Sequence, residues 1–174
     1  MADTTTLSTA LDQLVDLLGD VDDDTAARTT PCSDWTVAEL ADHVVHGTHN
    51  FARGVRGEDV DWAAAAPSVS GGRAAAMRAA ADDLLAAWAD APEDADGPPR
   101  EWQCSELAVH TWDLARALGV DTADLDQSVA EKGGEFMRPS LTDENRGSAF
   151  GPERPAPEGA DAYTSLAAFD GREV

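Results

Sequence analysis

Apolar residues along the chain recur every three or four positions, which is the spacing of one face of an α-helix. The first such stripe consists of Leu7, Leu11, Leu14, Val15, Leu18 and Val21. This pattern predicts a first helix over residues ~6–20. Gly19 and the acidic run Asp22–Asp24 are expected to end it, and the acids are expected to lie in solvent.

The second helix has the clearest start signal in the chain. Thr36 and Glu39 are three positions apart, so the hydroxyl and the carboxylate can satisfy each other's free backbone N–H groups as a capping box. The helix is predicted to continue through about Val55. Its apolar stripe comprises Val37, Leu40, Ala41, Val44, Val45, Thr48 and Phe51.

Four further helices follow from the same spacing and from their end signals. They are predicted from Ser70 or Gly71 to Ala89, from about Glu101 to Leu118 with Gly119 just after the helix end, over about Asp124–Met137, and over about Ala162–Phe169. The Pro- and Gly-rich stretch 138–160 is expected to be irregular. Four main helices with short and medium connections predict an all-α bundle.

Composition supports this fold class and a single domain over residues 1–174. Alanine, the best helix former, supplies 33 of the 174 residues. No apolar run approaches the ~20 residues of a membrane span. Residues 1–6 lack the basic and apolar regions of a secretory signal, so we expect a cytoplasmic protein. Cys32 and Cys104 are too few for a disulfide framework and are expected to serve packing or turn geometry.

The net charge of the chain limits the classes of molecule that it can bind. Lys and Arg total 12 against 34 Asp and Glu, a formal net charge of −22. Nucleic-acid binding requires clustered Lys and Arg, and anionic membrane surfaces attract the same residues. The sequence therefore predicts no nucleic-acid and no membrane partner, but the charge does not itself name a partner. The expected partner, a small-molecule substrate, follows from the candidate metal site and not from the charge.

Candidate metal ligands come from two helices. His43, His46 and His49 lie on the second helix and His110 lies on the fourth. Glu106 is four residues before His110, so the two side chains share one helix face. A catalytic metal needs about three protein ligands and an open position. One histidine from the second helix would complete a His/Glu/His set.

Helix geometry narrows the choice of that histidine without settling it. At 100° per residue, His43 and His49 flank the apolar stripe on opposite sides, whereas His46 points away from it. A metal site at a seam between helices favours a flanking position. Both His43 and His49 therefore remain candidates on spacing alone.

Three segments together resemble a known family. They are Thr30-Pro31-Cys32-Ser33-Asp34-Trp35-Thr36-Val37 with Leu40-Ala41-Asp42-His43-Val44-Val45, then Glu106-Leu107-Ala108-Val109-His110-Thr111-Trp112-Asp113, and Ala149-Phe150-Gly151-Pro152. The chain is similar to the DinB/YfiT-like metal-binding proteins, close to the N-terminal domain of mycothiol-dependent maleylpyruvate isomerase. The resemblance implies an up-down-down-up four-helix bundle. It also implies a metal held by His43, Glu106 and His110.

The function that the resemblance implies is a metal-dependent thiol transferase or isomerase. The metal would be Zn²⁺, with Ni²⁺ or Fe²⁺ as alternatives, and mycothiol or a similar thiol would be the co-substrate. Asp113 could orient a ligand histidine, His46 could line the cleft, and Arg146 could bind the carboxylate of the thiol. A homodimer is compatible with the resemblance. The other hypotheses are a non-catalytic metal- or small-molecule-binding protein and a metal-dependent hydrolase or secondary-metabolism enzyme.

Overall fold

The computed structural model describes residues 4–32, 35–92, 97–146 and 150–174. This part of the chain is helical and contains no β-strand; one isolated bridge joins Thr29 to Thr36. The helices are α1 (Thr5–Gly19), α2 (Asp23–Ala26), α3 (Val37–Val55), α4 (Arg73–Asp90), α5 (Arg100–Leu118), α6 (Gln127–Ser140) and α7 (Ala162–Phe169), with a 3₁₀ turn at Thr122–Asp124.

The predicted end signals of α3 and α5 are confirmed. The Thr36 Oγ1 accepts a hydrogen bond from the Glu39 N–H at 3.3 Å, and the Glu39 carboxylate accepts from the Thr36 N–H at 2.8 Å. Gly119 ends α5 with φ +78° and donates to the last carbonyls of the helix. Both ends therefore satisfy backbone groups that a helix terminus leaves free.

The four long helices α1, α3, α4 and α5 form a bundle whose directions are fixed by contacts at their ends. Arg56 at the end of α3 pairs with Asp83 late in α4, so these helices run in the same direction. Phe51 late in α3 packs on Trp102 early in α5, so α5 runs the opposite way. The first turns of α1 and α5 share a surface cleft, so these two are parallel. The arrangement is up-down-down-up, as the resemblance implied.

The apolar stripes form the core between these helices. The stripe residues Leu7, Leu11, Leu14, Leu18, Val37, Leu40 and Ala41 are at most 2% exposed. Helices α6 and α7 pack against α5 and cover its outer face. As a result, α5 is surrounded by protein, and even its polar residues Gln103, Thr111 and Asp113 are fully buried. No helix in the described part of the chain has the length and apolarity to cross a bilayer.

Helix α1 ends at Gly19 and the side chains of Asp22–Asp24 are exposed, as expected. The short helix α2, which the Asp22 side chain caps, was not predicted. One local expectation was wrong. Helix α6 passes through Pro139 to Ser140, so the irregular stretch begins after residue 140 and not at 138. Pro139 is tolerated because it lies in the last turn of α6, on exposed residues whose free carbonyls can bind water. Ser33, Asp34, Ala149 and residues 93–96 of the acidic loop lie outside the described residues.

Candidate metal centre

The antiparallel packing of α3 and α5 brings together the three residues that the resemblance implied as metal ligands. The Glu106 Oε1 lies 3.4 Å from the His43 Nε2 and 3.2 Å from the His110 Nε2. The two imidazole rings have centroids 4.8 Å apart. One carboxylate oxygen thus faces two imidazole nitrogens at the seam between the helices.

The proximity of these groups perturbs their pKa values. Burial opposes ionisation of Glu106, but His110 and His43 outweigh burial and lower the pKa of Glu106 far below its usual range. Burial alone would lower the pKa of His110, but the Glu106 carboxylate and the hydrogen bond to Asp113 raise it well above its usual value. Without a metal, the cluster is therefore an ion pair between Glu106 and a protonated His110.

Asp113 holds the second nitrogen of His110. The His110 Nδ1 donates to the Asp113 Oδ2 at 3.2 Å, and the Asp113 side chain is fully buried. Such a bond fixes the ring orientation and leaves Nε2 to face a metal. The expected orienting role of Asp113 therefore matches its contacts.

The charge of Asp113 is balanced by Arg172 from the C-terminal tail, which donates to both of its carboxylate oxygens at 3.2 and 3.1 Å. Burial would raise the pKa of Asp113, but the bonds from His110 and Arg172 hold it below its usual value. Gly171 has the backbone conformation that places Arg172 beside Asp113. The φ of Gly171 is +90°, and a Cβ on Gly171 would lie 2.5 Å from the Gly151 backbone. Only glycine allows this close crossing of two backbone segments.

A second group, Cys32, His110 and Asp113, also has ligand atoms within 4.8 Å of one another. The Arg172 guanidinium lies 3.6 Å from the Cys32 Sγ and already pairs with Asp113. A fixed cation beside the thiol and the carboxylate disfavours a metal ion there by direct repulsion. In the described part of the chain no Arg or Lys lines the pocket wall that carries His43, Glu106 and His110, so this group is the stronger candidate for a metal site.

The three donors lie in the wall of a pocket of about 200 Å³. Its lining residues come from α3, α5 and the loop between α3 and α4; they are His43, Val44, His46, Gly47, Thr48, Asn50, Phe51, Trp62, Ala64, Trp102, Glu106, Leu107 and His110. The Trp35 ring packs on His43 with centroids 4.5 Å apart, outside this lining. The His/Glu/His group is therefore accessible to a small molecule through a largely apolar pocket.

The structure separates the three histidines of α3. His43 and His46 line the pocket, and the His46 Nε2 is 3.1 Å from the Asn50 side-chain nitrogen. His49 is exposed on the opposite flank of the helix, next to Asp83 of α4. His46 lies away from the apolar stripe but still lines the pocket, because the pocket opens on the flank of α3 that faces α5. This is the cleft position that was considered for His46.

Arg146 does not line the pocket. Its buried guanidinium donates to the Gly151 and Phe169 carbonyls at 2.9 and 2.8 Å. It therefore holds the tail segment that carries Arg172, and these contacts do not support the expected role in binding a thiol carboxylate. Arg138 is exposed and lies over the Phe169 ring. Cys104 is buried in the core, where burial raises its pKa to about 11, in agreement with the expected packing role.

The donor set fits a divalent metal ion. Three ligands at ~2.1 Å around a tetrahedral ion lie about 3.4 Å from one another. The observed separations of 3.2 and 3.4 Å between the Glu106 Oε1 and the two Nε2 atoms are of this size. Two imidazoles and one carboxylate are also a ligand set of catalytic zinc and of non-haem iron.

Comparisons with known proteins identify the family of the chain. The family model of the mycothiol maleylpyruvate isomerase N-terminal domain matches residues 7–115, which include all three donors. The chain belongs to this family. It is also 32% identical over 181 aligned positions to the uncharacterized proteins Rv0738 and MT0763 from two strains of Mycobacterium tuberculosis, covering 95% of this chain and 94% of each relative. No solved structure gives a significant match.

Three functional residues escaped the sequence reasoning in different ways. Arg172 lies in the C-terminal tail with no periodic pattern around it, so nothing in the sequence indicated that it pairs with Asp113. Cys32 belonged to a segment of the resemblance, but its contact with Arg172 depends on the tail crossing at Gly171. Trp62 lies in a loop without regular spacing, and the exposure of its side chain becomes visible only in the structure.

Proposed function

We propose that the protein is a metal-dependent enzyme that activates a low-molecular-weight thiol of the mycothiol type for S-transfer or isomerisation. The observation that supports this proposal most directly is that the His43 Nε2, the His110 Nε2 and the Glu106 Oε1 lie close together at one end of the pocket. The family supports the thiol, because its description names mycothiol. Zn²⁺ is the metal we favour, with Ni²⁺ and Fe²⁺ as alternatives for the same ligand set.

A bound divalent ion would lower the pKa of a thiol below its free value of ~8.5 and so provide a thiolate at neutral pH. The chain's own residues position and shield this chemistry. Asp113 orients His110, Trp35 packs on the ring of His43, and the apolar walls of the pocket limit the access of water. Glu106 is one-third exposed and lines the pocket, where its carboxylate faces both imidazole rings.

The proposed transfer is redox-neutral. The thiol releases its proton to solvent, and its sulfur forms a bond to an electrophilic carbon. In a substitution a halide leaves from that carbon, and in an addition the adjacent alkene carbon takes up a proton. No external oxidant or reductant is needed. In an isomerisation the same addition would be reversed after rotation about the former double bond, and the thiol would be regenerated.

The test uses untagged protein loaded with Zn²⁺ and titrated with mycothiol in a calorimeter, followed by turnover of 1-chloro-2,4-dinitrobenzene. We expect saturable binding and a rate above that of the metal-free protein, both lost in His110→Ala and both retained in His49→Ala, which changes an exposed histidine on the same helix as His43. Glutathione serves as a control for thiol selectivity. The absence of both binding and turnover with fully loaded protein would overturn the proposal, whereas binding without turnover of any electrophile would favour a non-catalytic binding protein.

A further inference from the structure

We infer that the end of the pocket remote from the metal ligands binds a neutral aromatic ring of the electrophilic co-substrate. Phe51, Trp62 and Trp102 meet there, with ring centroids 5.5 Å apart for Phe51–Trp62, 5.3 Å for Phe51–Trp102 and 5.3 Å for Trp62–Trp102. We call these three residues the aromatic subsite. The inference rests on the proposed metal centre only for the position of the reacting group.

The exposure of Trp62 is the first observation that points to a ligand. Among the described residues, it is the large apolar side chain that stays exposed, at 48%. The loop that carries it is anchored near its start, because Arg53 donates to the Glu58 carboxylate and to the Asp59 carbonyl. An indole on an anchored loop that lines a pocket offers apolar surface that the core does not use.

The aromatic subsite lies close enough to the proposed metal ligands, along both helices, for one small molecule to reach both. Trp102 precedes Glu106 by four residues, which is ~6 Å along α5. Phe51 follows His43 by eight residues, which is ~12 Å along α3. A molecule whose reacting end sits at the His/Glu/His group can therefore place its body against the rings without leaving the pocket.

The pocket as a whole accommodates about one ring. A cavity of ~150 Å³ is sufficient for benzene, so the pocket volume of about 200 Å³ fits a six-membered ring with a short arm. Gly47 lies in the wall between the two ends, and a Cβ placed there would touch nothing within 4 Å. The glycine leaves open a stretch of wall that any longer side chain would fill.

Charge argues that the ring is neutral. None of the described residues that line the pocket is Lys or Arg, so an anionic body would find no partner away from the metal. The net charge of −22 also opposes the approach of anions. The rings already contact one another edge to face or tilted, so a further aromatic ring would pack against the outer edges and faces of this cluster.

The test compares two chelators that differ only by a phenyl ring. Zinc-loaded protein is titrated with benzohydroxamate and with acetohydroxamate in a calorimeter. We expect benzohydroxamate to bind about tenfold or more tightly, since burying a ring contributes roughly this much. Trp62→Ala should abolish most of the difference and leave acetohydroxamate unchanged, and Trp62→Phe, which keeps a ring, should restore much of it.

The outcomes separate the two proposals. Equal affinities for the two chelators, or a preference for benzohydroxamate that Trp62→Ala does not alter, would overturn the aromatic subsite. Failure of the protein to take up zinc, or of acetohydroxamate to bind, would count against the proposed metal centre instead.

A second measurement tests the subsite without a metal. Metal-free protein labelled with 5-fluorotryptophan is titrated with benzyl alcohol, and the fluorine resonance that Trp62→Phe removes is followed. We expect this resonance to shift while that of the buried Trp112 does not, and Gly47→Leu should prevent the shift. No shift at Trp62, equal shifts at all tryptophans, or stronger binding of benzyltrimethylammonium would contradict a site for a neutral ring.

Discussion

Asp170 gives a prediction whose size follows from its surroundings. It is fully buried at the end of α7, and neither carboxylate oxygen accepts a hydrogen bond from any described residue. Burial is the main effect on this carboxyl, only partly offset by Arg172 and Arg146, and it raises the pKa of Asp170 to about 7. The perturbation is Asp170→Asn, which keeps the shape of the protonated acid and cannot ionise.

The sign follows from proton linkage. The unfolded chain releases the Asp170 proton near its ordinary pKa of 3.8, whereas the folded protein keeps it to about pH 7. The folded state therefore binds the extra proton in this window, and the stability that Asp170 contributes falls as the pH rises from 4 to 7. A difference of about three pKa units at ~1.4 kcal/mol each gives a loss of roughly 4 kcal/mol across the window.

The assay is urea unfolding of the wild type and of Asp170→Asn at several pH values between 4 and 8, monitored by far-UV circular dichroism. The variant should be similar to the wild type near pH 4 and should become more stable than it by up to roughly 4 kcal/mol above pH 7. Asp59→Asn, which changes an exposed carboxylate, is the control and should follow the wild type. A constant difference between the wild type and Asp170→Asn at every pH would refute the argument.

The remaining predictions concern single contacts, and each is checked by the free energy of unfolding in urea. Gly133→Ala places a Cβ 2.8 Å from the backbone of α5 and should cost about 1–3 kcal/mol. Gly134→Ala places a Cβ at ordinary contact distances of 3.8 and 3.9 Å from the Arg138 and Leu166 side chains and should be neutral or stabilise by up to ~1 kcal/mol; equal effects would contradict the packing. Thr36→Ala removes the cap of α3 and should cost about 1 kcal/mol, and no cost would show the cap to be dispensable. Arg172→Met removes the cation that pairs with the buried Asp113 carboxylate and should lower the free energy of unfolding by about 3 kcal/mol. Adding Asp113→Asn to this variant should restore part of that stability. If the losses of the two single variants simply add in the double variant, the ion pair is refuted.

The helices were predictable because their signals are local. The apolar spacing, the Thr36 capping box and Gly119 fix the start or end of helices through neighbours a few residues away. The predicted α7 has the same bounds as the observed helix. Pro139 misled the prediction because proline in a last turn costs little when the freed carbonyl faces water.

The candidate site was predictable only in part, because it depends on contacts distant in sequence. The pair Glu106 and His110 is visible from helix spacing, but spacing could not choose between His43 and His49. The choice depends on which flank of α3 faces α5, a property of the packed bundle. Arg172 reaches the site because the backbone at Gly171 crosses closely over the backbone at Gly151, and no local sequence pattern predicts this crossing.

The central claim is that His43, Glu106 and His110 bind a divalent metal ion, and metal analysis of untagged protein tests it most directly. The protein is incubated with Zn²⁺, freed of excess metal and analysed for bound zinc alongside His43→Ala, His110→Ala and the exposed-histidine control His49→Ala. We predict one zinc per chain in the wild type and in His49→Ala, and a large loss of zinc in the other two variants. Full zinc occupancy in both His43→Ala and His110→Ala would contradict the account.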